Sequence, residues 1–365
     1  MKIKAAVTRQ TGEIKIETLE LAPPKAGEVL VKVVACGVCH TDASSIKQFI
    51  PARLPMVMGH EGVGIIEEVG AGVNGLQVGD HVVLSFPSCG ICPHCADGKP
   101  YACVNMKKLF FGGDYNDGTT RLTDENGVAI SALFGQSSFA DHCIVEAKHA
   151  VKVDPDVDLK ALCSLGCGVQ TGAGAVLCRM KPEPGSSIAI FGAGAVGLSA
   201  VMAAKIAGCS TIIVIDLVQD RLDMAKEMGA THIINGKECA DVPAKIFEIT
   251  GGKGVNYGLE AVGVPVLVQQ MLQVLGPEGL GVLVGVTGDA QIPVHANDLM
   301  DKNAVFTGAI EGGANPQTFI PRLVQFYKEG RLPIDMMSKY YKFEDIEKAF
   351  EDSHSGEVIK PILVF

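Results

Sequence analysis

Apolar and polar positions along this chain follow two rhythms. Between residue 29 and about 153 the apolar positions come in short β-rich runs, at 29–35, 63–69, 81–85 and 140–145, cut by Gly, Pro and Asp. That punctuation predicts a mostly β domain. The opening run, residues 1–7, also reads as a strand. After about Cys167 strand and helix alternate. Strands are expected at 188–191, 211–215, 232–234, 257–260 and 280–286, with helices at 195–207, 218–228, 242–249 and 264–275. Continuous apolar strands joined by crossover helices predict a parallel, doubly wound sheet, so the fold class is α/β. Past Ile310 the Gly312-Gly313 pair breaks the rhythm. Helices near 317–328 and 343–354 and a strand at 358–365 then read as a return to the first domain. The expected division is 1–168 completed by 311–365, and 169–310 as the nucleotide-type domain.

Composition narrows the classes. A chain of 365 residues is long for one hydrophobic core, which agrees with two domains. Hydrophobic residues at 47% exclude a disordered chain. A net charge of −10 without clustered Lys and Arg argues against a nucleic-acid partner. No stretch reaches the roughly 18 uninterrupted apolar residues of a membrane helix, so no membrane partner is expected. The N-terminal segment has no signal-peptide pattern, and a cytoplasmic location with reduced thiols is expected for the 12 cysteines.

The first chemical feature is the run Cys89-Gly-Ile-Cys92-Pro-His-Cys95, closed seven residues later by Cys103. Four thiolates at that spacing can occupy the corners of a tetrahedron, as a structural zinc site requires; disulfides or buried free thiols are the alternative. The second is Gly192-Ala-Gly194-Ala-Val196-Gly197, which follows an expected strand, opens an expected helix and is followed about 20 residues later by Asp216 at the next strand's end. Gly192 suits the tight turn, Gly194 the approach of a pyrophosphate, and Gly197 the packing of helix on strand. Asp216 would accept from the ribose hydroxyls and repel a 2′-phosphate, favouring NAD over NADP, with Arg221 lying along the adenosine. A helix cap or solvated loop carboxylate is the alternative for Asp216, and Arg221 as a phosphate partner the alternative there. The third is a scattered set: Cys39 in Cys39-His40-Thr41-Asp42, His60 in Gly59-His60-Glu61-Gly62, and Cys167 between two glycines. One imidazole and two thiolates form a three-ligand zinc set with an open corner, the catalytic pattern.

In combination these motifs resemble the zinc-dependent medium-chain alcohol dehydrogenase family over essentially the whole chain. The resemblance implies a GroES-like catalytic domain with a Rossmann domain. It implies two zinc ions: catalytic zinc on Cys39, His60 and Cys167 with Glu61 beside it, and structural zinc on Cys89, Cys92, Cys95 and Cys103. Asp42 would orient His60; Thr41 would take the proton from the zinc-bound oxygen of the alcohol and hand it to the nicotinamide ribose, and hydride would then pass from the resulting alkoxide to NAD. His40 is placed near the pyrophosphate, Thr171 and Val196 against the nicotinamide, and Lys360 near the phosphates. Many members carry a relay histidine where this chain has Ser44, so the proton is expected to leave through water or His40.

Residues 110–145 resemble the longer loop of dimeric members, which implies a homodimer, with a homotetramer the alternative; strand pairing around residues 305–310 is the usual contact. The runs from Leu165 and Ala193 are most similar to the aryl-alcohol (benzyl-alcohol) dehydrogenase branch. The expected substrate is a primary aromatic or allylic alcohol, in a pocket of Met56, Ser85, Phe86, Leu133 and Phe134 with residues near Glu311, although each could equally be core. Medium-chain aliphatic alcohols and glutathione adducts (formaldehyde-type) are alternatives sharing the same ligands; a non-catalytic nucleotide-binding protein is another. The other cysteines, Cys36, Cys143, Cys163, Cys178, Cys209 and Cys239, are expected as buried apolar residues.

Overall fold

The computed structural model describes residues 1–365. The chain forms two compact units. The first comprises Met1–Cys167, Asn315–Glu329 and Ile334–Phe365; the second comprises Gly168–Ala314 and Gly330–Pro333. The chain re-enters the first unit at Asn315, a few residues later than the glycine pair suggests.

The first unit is GroES-like and β-rich. A closed barrel runs through Lys2–Thr8, Lys15–Leu21, Leu122–Thr123, Ala129–Ala132 and Met56–Val57. Alternation along Lys15–Leu21 hides Leu19 and Leu21 while its lysine and glutamates stay outside, so only two of its seven residues are fully buried. Beside the barrel lies a sheet centred on Glu28–Gly37, which pairs antiparallel with Gly62–Val69 on one side and with Lys360–Val364 and His142–Glu146 elsewhere along its length. Glu28–Gly37 leads the chain to Cys39, and Gly62–Val69 begins just after His60 and Glu61. Two neighbouring strands thereby bring residues far apart in sequence to one end of the sheet. A core of Met56, Met58, Phe86, Phe110, Leu133, Phe134 and Phe139 fills the space beside them.

The second unit is a six-stranded, wholly parallel Rossmann sheet in the order His232–Asn235, Thr211–Asp216, Ser187–Phe191, Val255–Glu260, Leu275–Leu283, Val305–Gly308. One boundary departs from the apolar pattern. The helix expected to reach Leu275 stops at Gln273, and Leu275 already pairs with Val255. The segment Gly276-Pro277-Glu278-Gly279 is a bulge in that strand, with Glu278 at φ 57°, so the strand starts before its glycine-rich irregularity.

Candidate functional site

Cys39, His60, Glu61 and Cys167 each direct one donor atom to a point where the four atoms lie within 4.8 Å of one another. All belong to the first unit. Cys39 immediately precedes the helix His40–Ile46, and Asp42 in its first turn is completely buried. The Asp42 carboxylate accepts from Cys39 N at 3.1 Å and Gly59 N at 3.0 Å, and its Oδ1 lies 3.0 Å from His60 Nδ1. A carboxylate facing Nδ1 holds a proton there and leaves Nε2 as the atom that a metal would take on displacing its proton. That Nε2 is buried and has no hydrogen-bond partner. An orphaned buried imidazole nitrogen is costly unless something binds it, and with two thiols beside it the donor chemistry fits zinc. Burial opposes the charged imidazole, but Asp42 and Cys39 outweigh it and hold the His60 pKa well above the ordinary histidine range. The Cys39 thiol lies well below its ordinary range, chiefly through the Cys167 thiol against it.

Glu61 is fully buried, and burial pushes its pKa up to about 7 against the opposing charge of Lys360. Lys360 Nζ donates to Glu61 Oε1 at 3.0 Å, to Oε2 at 2.9 Å and to the Val38 carbonyl at 3.2 Å. Lys360 is buried, with Glu61 as its partner. Gly37 makes room for this arrangement, because a Cβ there would lie 2.2 Å from Glu61 Oε2. His40 is exposed and Thr41 half-buried on the same helix as Asp42, and Ser44 lies one turn further on.

The second donor set is closed. The Sγ atoms of Cys89, Cys92, Cys95 and Cys103 lie within 4.8 Å of one another. Cys92 immediately precedes the short helix Pro93–Ala96, and Cys103 follows the turn Pro100–Ala102. Backbone N–H groups point at sulfur: Cys92 N lies 3.3 Å from Cys89 Sγ, and Cys89 N 3.3 Å from Cys103 Sγ. Burial works against the Cys89 thiolate, but the N–H groups of Ile91 and Cys92 overcome it and bring its pKa down to about 6. Four thiols among inward-facing amides fit a structural zinc. His149 was not marked by the sequence. It is buried, accepts from Ser88 N at 2.9 Å beside the first ligand, and burial lowers its pKa to about 4.

In the second unit the glycine turn has the shape its residues suggest. Gly192 adopts φ 103°, and its N–H donates to Ile215 at 2.8 Å. Gly194 faces open space, whereas a Cβ on Gly197 would lie 1.8 Å from the Gly192 carbonyl. The helix Ala195–Ala207 therefore starts hard against the strand with its first N–H groups free, a cradle for a pyrophosphate. Asp216 Oδ2 accepts from Ala193 N at 2.7 Å and Oδ1 from Leu217 N and Val218 N, which fixes the carboxylate at the strand's end. Arg221 lies in the following helix, Gln219–Met228, with its Nε buried and unpartnered. Thr171 and Val196 are half-buried on helices that touch through Gly172, where a Cβ would lie 2.0 Å from the Val196 carbonyl.

Among the expected pocket residues, Met56, Phe86, Leu133 and Phe134 share one buried cluster, and the Ser85 hydroxyl donates to the Gly166 carbonyl at 2.9 Å. Glu311 belongs to the second unit, at φ 49°, and accepts from Gln170 Nε2 at 3.0 Å. Of the six remaining cysteines, Cys36, Cys143 and Cys163 are buried as expected, but Cys178, Cys209 and Cys239 are partly exposed. Cys178 lies in the helical segment Ala175–Met180, and Cys209 and Cys239 lie in the loops that follow Ala207 and Asn235. No single helix is long and apolar enough to cross a membrane.

A GroES-like unit bearing one closed and one open zinc-type donor set, followed by a Rossmann unit, defines a class of two-domain oxidoreductase. Residues 25–155 match the alcohol dehydrogenase GroES-like domain family and residues 195–329 the zinc-binding dehydrogenase family. Geraniol dehydrogenase from Castellaniella defragrans is 40% identical over 365 residues, covering 99% of this chain and 97% of that protein. The chain belongs to the zinc-dependent medium-chain alcohol dehydrogenase family. Among solved structures, an alcohol dehydrogenase zinc-binding domain protein from Burkholderia ambifaria is 46% identical with a TM-score of 0.97, covering 100% of this chain and 99% of that one. Benzyl alcohol dehydrogenase from Acinetobacter calcoaceticus is 43% identical with a TM-score of 0.96, at the same coverage.

Proposed function

We propose that this protein is an NAD-dependent zinc alcohol dehydrogenase that interconverts a primary aromatic or allylic alcohol and its aldehyde. The observation that carries the reading is the open donor set, with a buried His60 Nε2 that lacks any partner beside two thiols and beside Glu61. The substrate class is supported by two relatives of 40% and 43% identity, one named for geraniol and one for benzyl alcohol. It is supported too by the apolar, aromatic cluster of Met56, Phe86, Leu133 and Phe134, whose Phe134 ring stacks on His60.

Cys39, His60 and Cys167 hold the catalytic zinc, and Cys89, Cys92, Cys95 and Cys103 hold the structural one. Zinc in the open site supplies Lewis acidity toward the substrate hydroxyl, and the nicotinamide supplies the hydride acceptor. Thr41, in the first turn of the helix His40–Ile46 and two residues after Cys39, takes the substrate's hydroxyl proton on its Oγ1. With serine at position 44 that proton continues to water or to the exposed His40. Asp42 holds Cys39 and His60 in place, and the buried aromatic cluster excludes water. Gly192, Gly194 and Gly197 seat the pyrophosphate, aided by His40. Thr171 and Val196 face the nicotinamide, and Lys360 lies near the phosphates. Asp216, its carboxylate fixed by three backbone N–H groups, selects NAD by accepting from ribose hydroxyls. The enzyme works in the cytoplasm as a homodimer, with a homotetramer the alternative, using the edge strand Val305–Gly308, where Val305 is exposed.

Formation of reduced nicotinamide from benzyl alcohol, geraniol and ethanol, each with NAD and with NADP, tests the reading. The expected order of kcat/KM is benzyl alcohol or geraniol above ethanol, and NAD above NADP. A preference for ethanol overturns the substrate class, a preference for NADP overturns the cofactor assignment, and formaldehyde turnover that requires glutathione replaces the substrate class with the adduct reading.

A further inference from the structure

Phe134 occupies a backbone conformation that a bulky side chain ordinarily avoids. Its φ of 52° and ψ of 24° lie in the left-handed region, at a cost of about 1–3 kcal/mol. Gly135 and Ser137 follow at φ 57° and 54°. The turn is locked to the segment just before His60: Ser138 N donates to the Gly59 carbonyl at 2.9 Å, Phe139 N to the Met58 carbonyl at 3.0 Å, and the Ser137 hydroxyl to the Val57 carbonyl at 2.9 Å. Strain of this kind persists only where surrounding bonds impose it, and it places the Phe134 ring against the imidazole of His60. The two rings stack with centroids 4.5 Å apart and planes 27° apart. On its other side Phe134 stacks on Phe110 at 4.1 Å and meets the edge of Phe111 at 5.6 Å.

Phe110 and Phe111 end the helix Met106–Phe111, which begins three residues after Cys103. Leu109 and Met106 of that helix pack on the four-cysteine loop. One short helix therefore touches the closed thiol site with one set of side chains and backs Phe134 with another. Asp42 restrains His60 only at Nδ1, within the ring plane, so the plane itself needs a second contact.

We infer that Phe134 is a positioning residue for His60: its ring, forced into the left-handed turn and backed by Phe110 and Phe111, fixes the imidazole plane and keeps Nε2 within reach of the Cys39 and Cys167 sulfurs. This rests on His60 being a ligand of the open site.

The test uses the full zinc-loaded chain carrying Phe134→Gly. Glycine accepts the left-handed backbone, so the turn survives and only the ring is lost. Two readouts apply: the rate at which excess chelator removes each zinc, and the visible spectrum after cobalt replaces the open-site metal. The expected result is metal loss from the open site faster by about ten-fold or more, the range found when a ligand's supporting contact is removed. The cysteine-loop metal should leave at the wild-type rate, and the cobalt bands should shift. Phe134→Leu, which fills the space without a flat face, should behave the same way if the glycine variant does not fold. Wild-type release and an unchanged cobalt spectrum in a folded variant overturn the inference, as does equal loosening of both metals, which marks a general packing defect. Failure of the ligand assignment is distinguishable, because His60→Ala would then keep its open-site metal.

Discussion

Replacing Asp42 by asparagine should loosen the open metal site about a hundred-fold while leaving the four-cysteine site unchanged. The Asp42 side chain is completely buried and meets three donors: Cys39 N, Gly59 N and His60 Nδ1. Asparagine is nearly the same size, so no cavity forms, but one of its two terminal atoms becomes an NH2 group. If the amide oxygen stays toward Gly59 and His60, the NH2 group faces Cys39 N–H; if it is turned, it faces the other two donors. Either way at least one buried donor loses its acceptor. A hydrogen bond to a charged group contributes about 1.5–3 kcal/mol and a buried unsatisfied donor costs about 1–3 kcal/mol, so the combined effect is about 3 kcal/mol. That falls on the geometry of Cys39 and His60, and about 3 kcal/mol corresponds to about a hundred-fold in metal dissociation constant. Competition with a chromogenic chelator, following release of the metals from wild type and Asp42→Asn, measures it. Equal retention of both metals by the variant, with wild-type turnover, would refute the claim that Asp42 organises the site.

Gly197→Ala should abolish cofactor binding without relief elsewhere, because the added Cβ would lie 1.8 Å from the Gly192 backbone carbonyl; nicotinamide fluorescence titration checks this, and retained binding contradicts it. His149 should make the protein acid-sensitive. Burial holds its pKa near 4 in the fold against about 6.5 when unfolded, so stability is full above about 6.5 and is lost as pH falls from there toward 4. The loss approaches about 3 kcal/mol at the low end. Urea midpoints across that window should flatten in His149→Gln; an unchanged slope counts against the assignment. Ser44→His should speed alcohol oxidation at low pH by giving the proton a base to reach, and an identical pH–rate profile would count against the relay argument.

The nucleotide unit was the most legible part of the sequence. Its parallel strands are buried on both faces, so Ile188 to Phe191 and Ile212 to Ile215 stand out as unbroken apolar runs, and the glycine motif marks the turn between them. The strand Ser338–Lys342 carried no such signal: Ser-Lys-Tyr-Tyr-Lys is mostly exposed and is a strand because Lys360–Val364 pairs with it. Cysteine spacing disclosed the closed site because its ligands are neighbours in sequence. The open site was legible only through small local motifs around Cys39, His60 and Cys167. What lies beneath it was hidden by distance, since Lys360 reaches Glu61 across 299 residues. Phe134 was legible as an apolar residue, but nothing in Phe-Gly-Gln-Ser announces a left-handed backbone or a ring laid on a particular histidine.

We propose that chemistry belongs to the open three-ligand set and stability to the closed four-cysteine set. It is tested most directly by zinc content and turnover of benzyl alcohol with NAD in His60→Ala and Cys95→Ser. His60→Ala should unfold close to the wild-type temperature, keep the cysteine-loop zinc and produce no reduced nicotinamide, whereas Cys95→Ser should lose metal and stability first. Wild-type turnover by His60→Ala, or a fully active and fully stable Cys95→Ser without its metal, would contradict it.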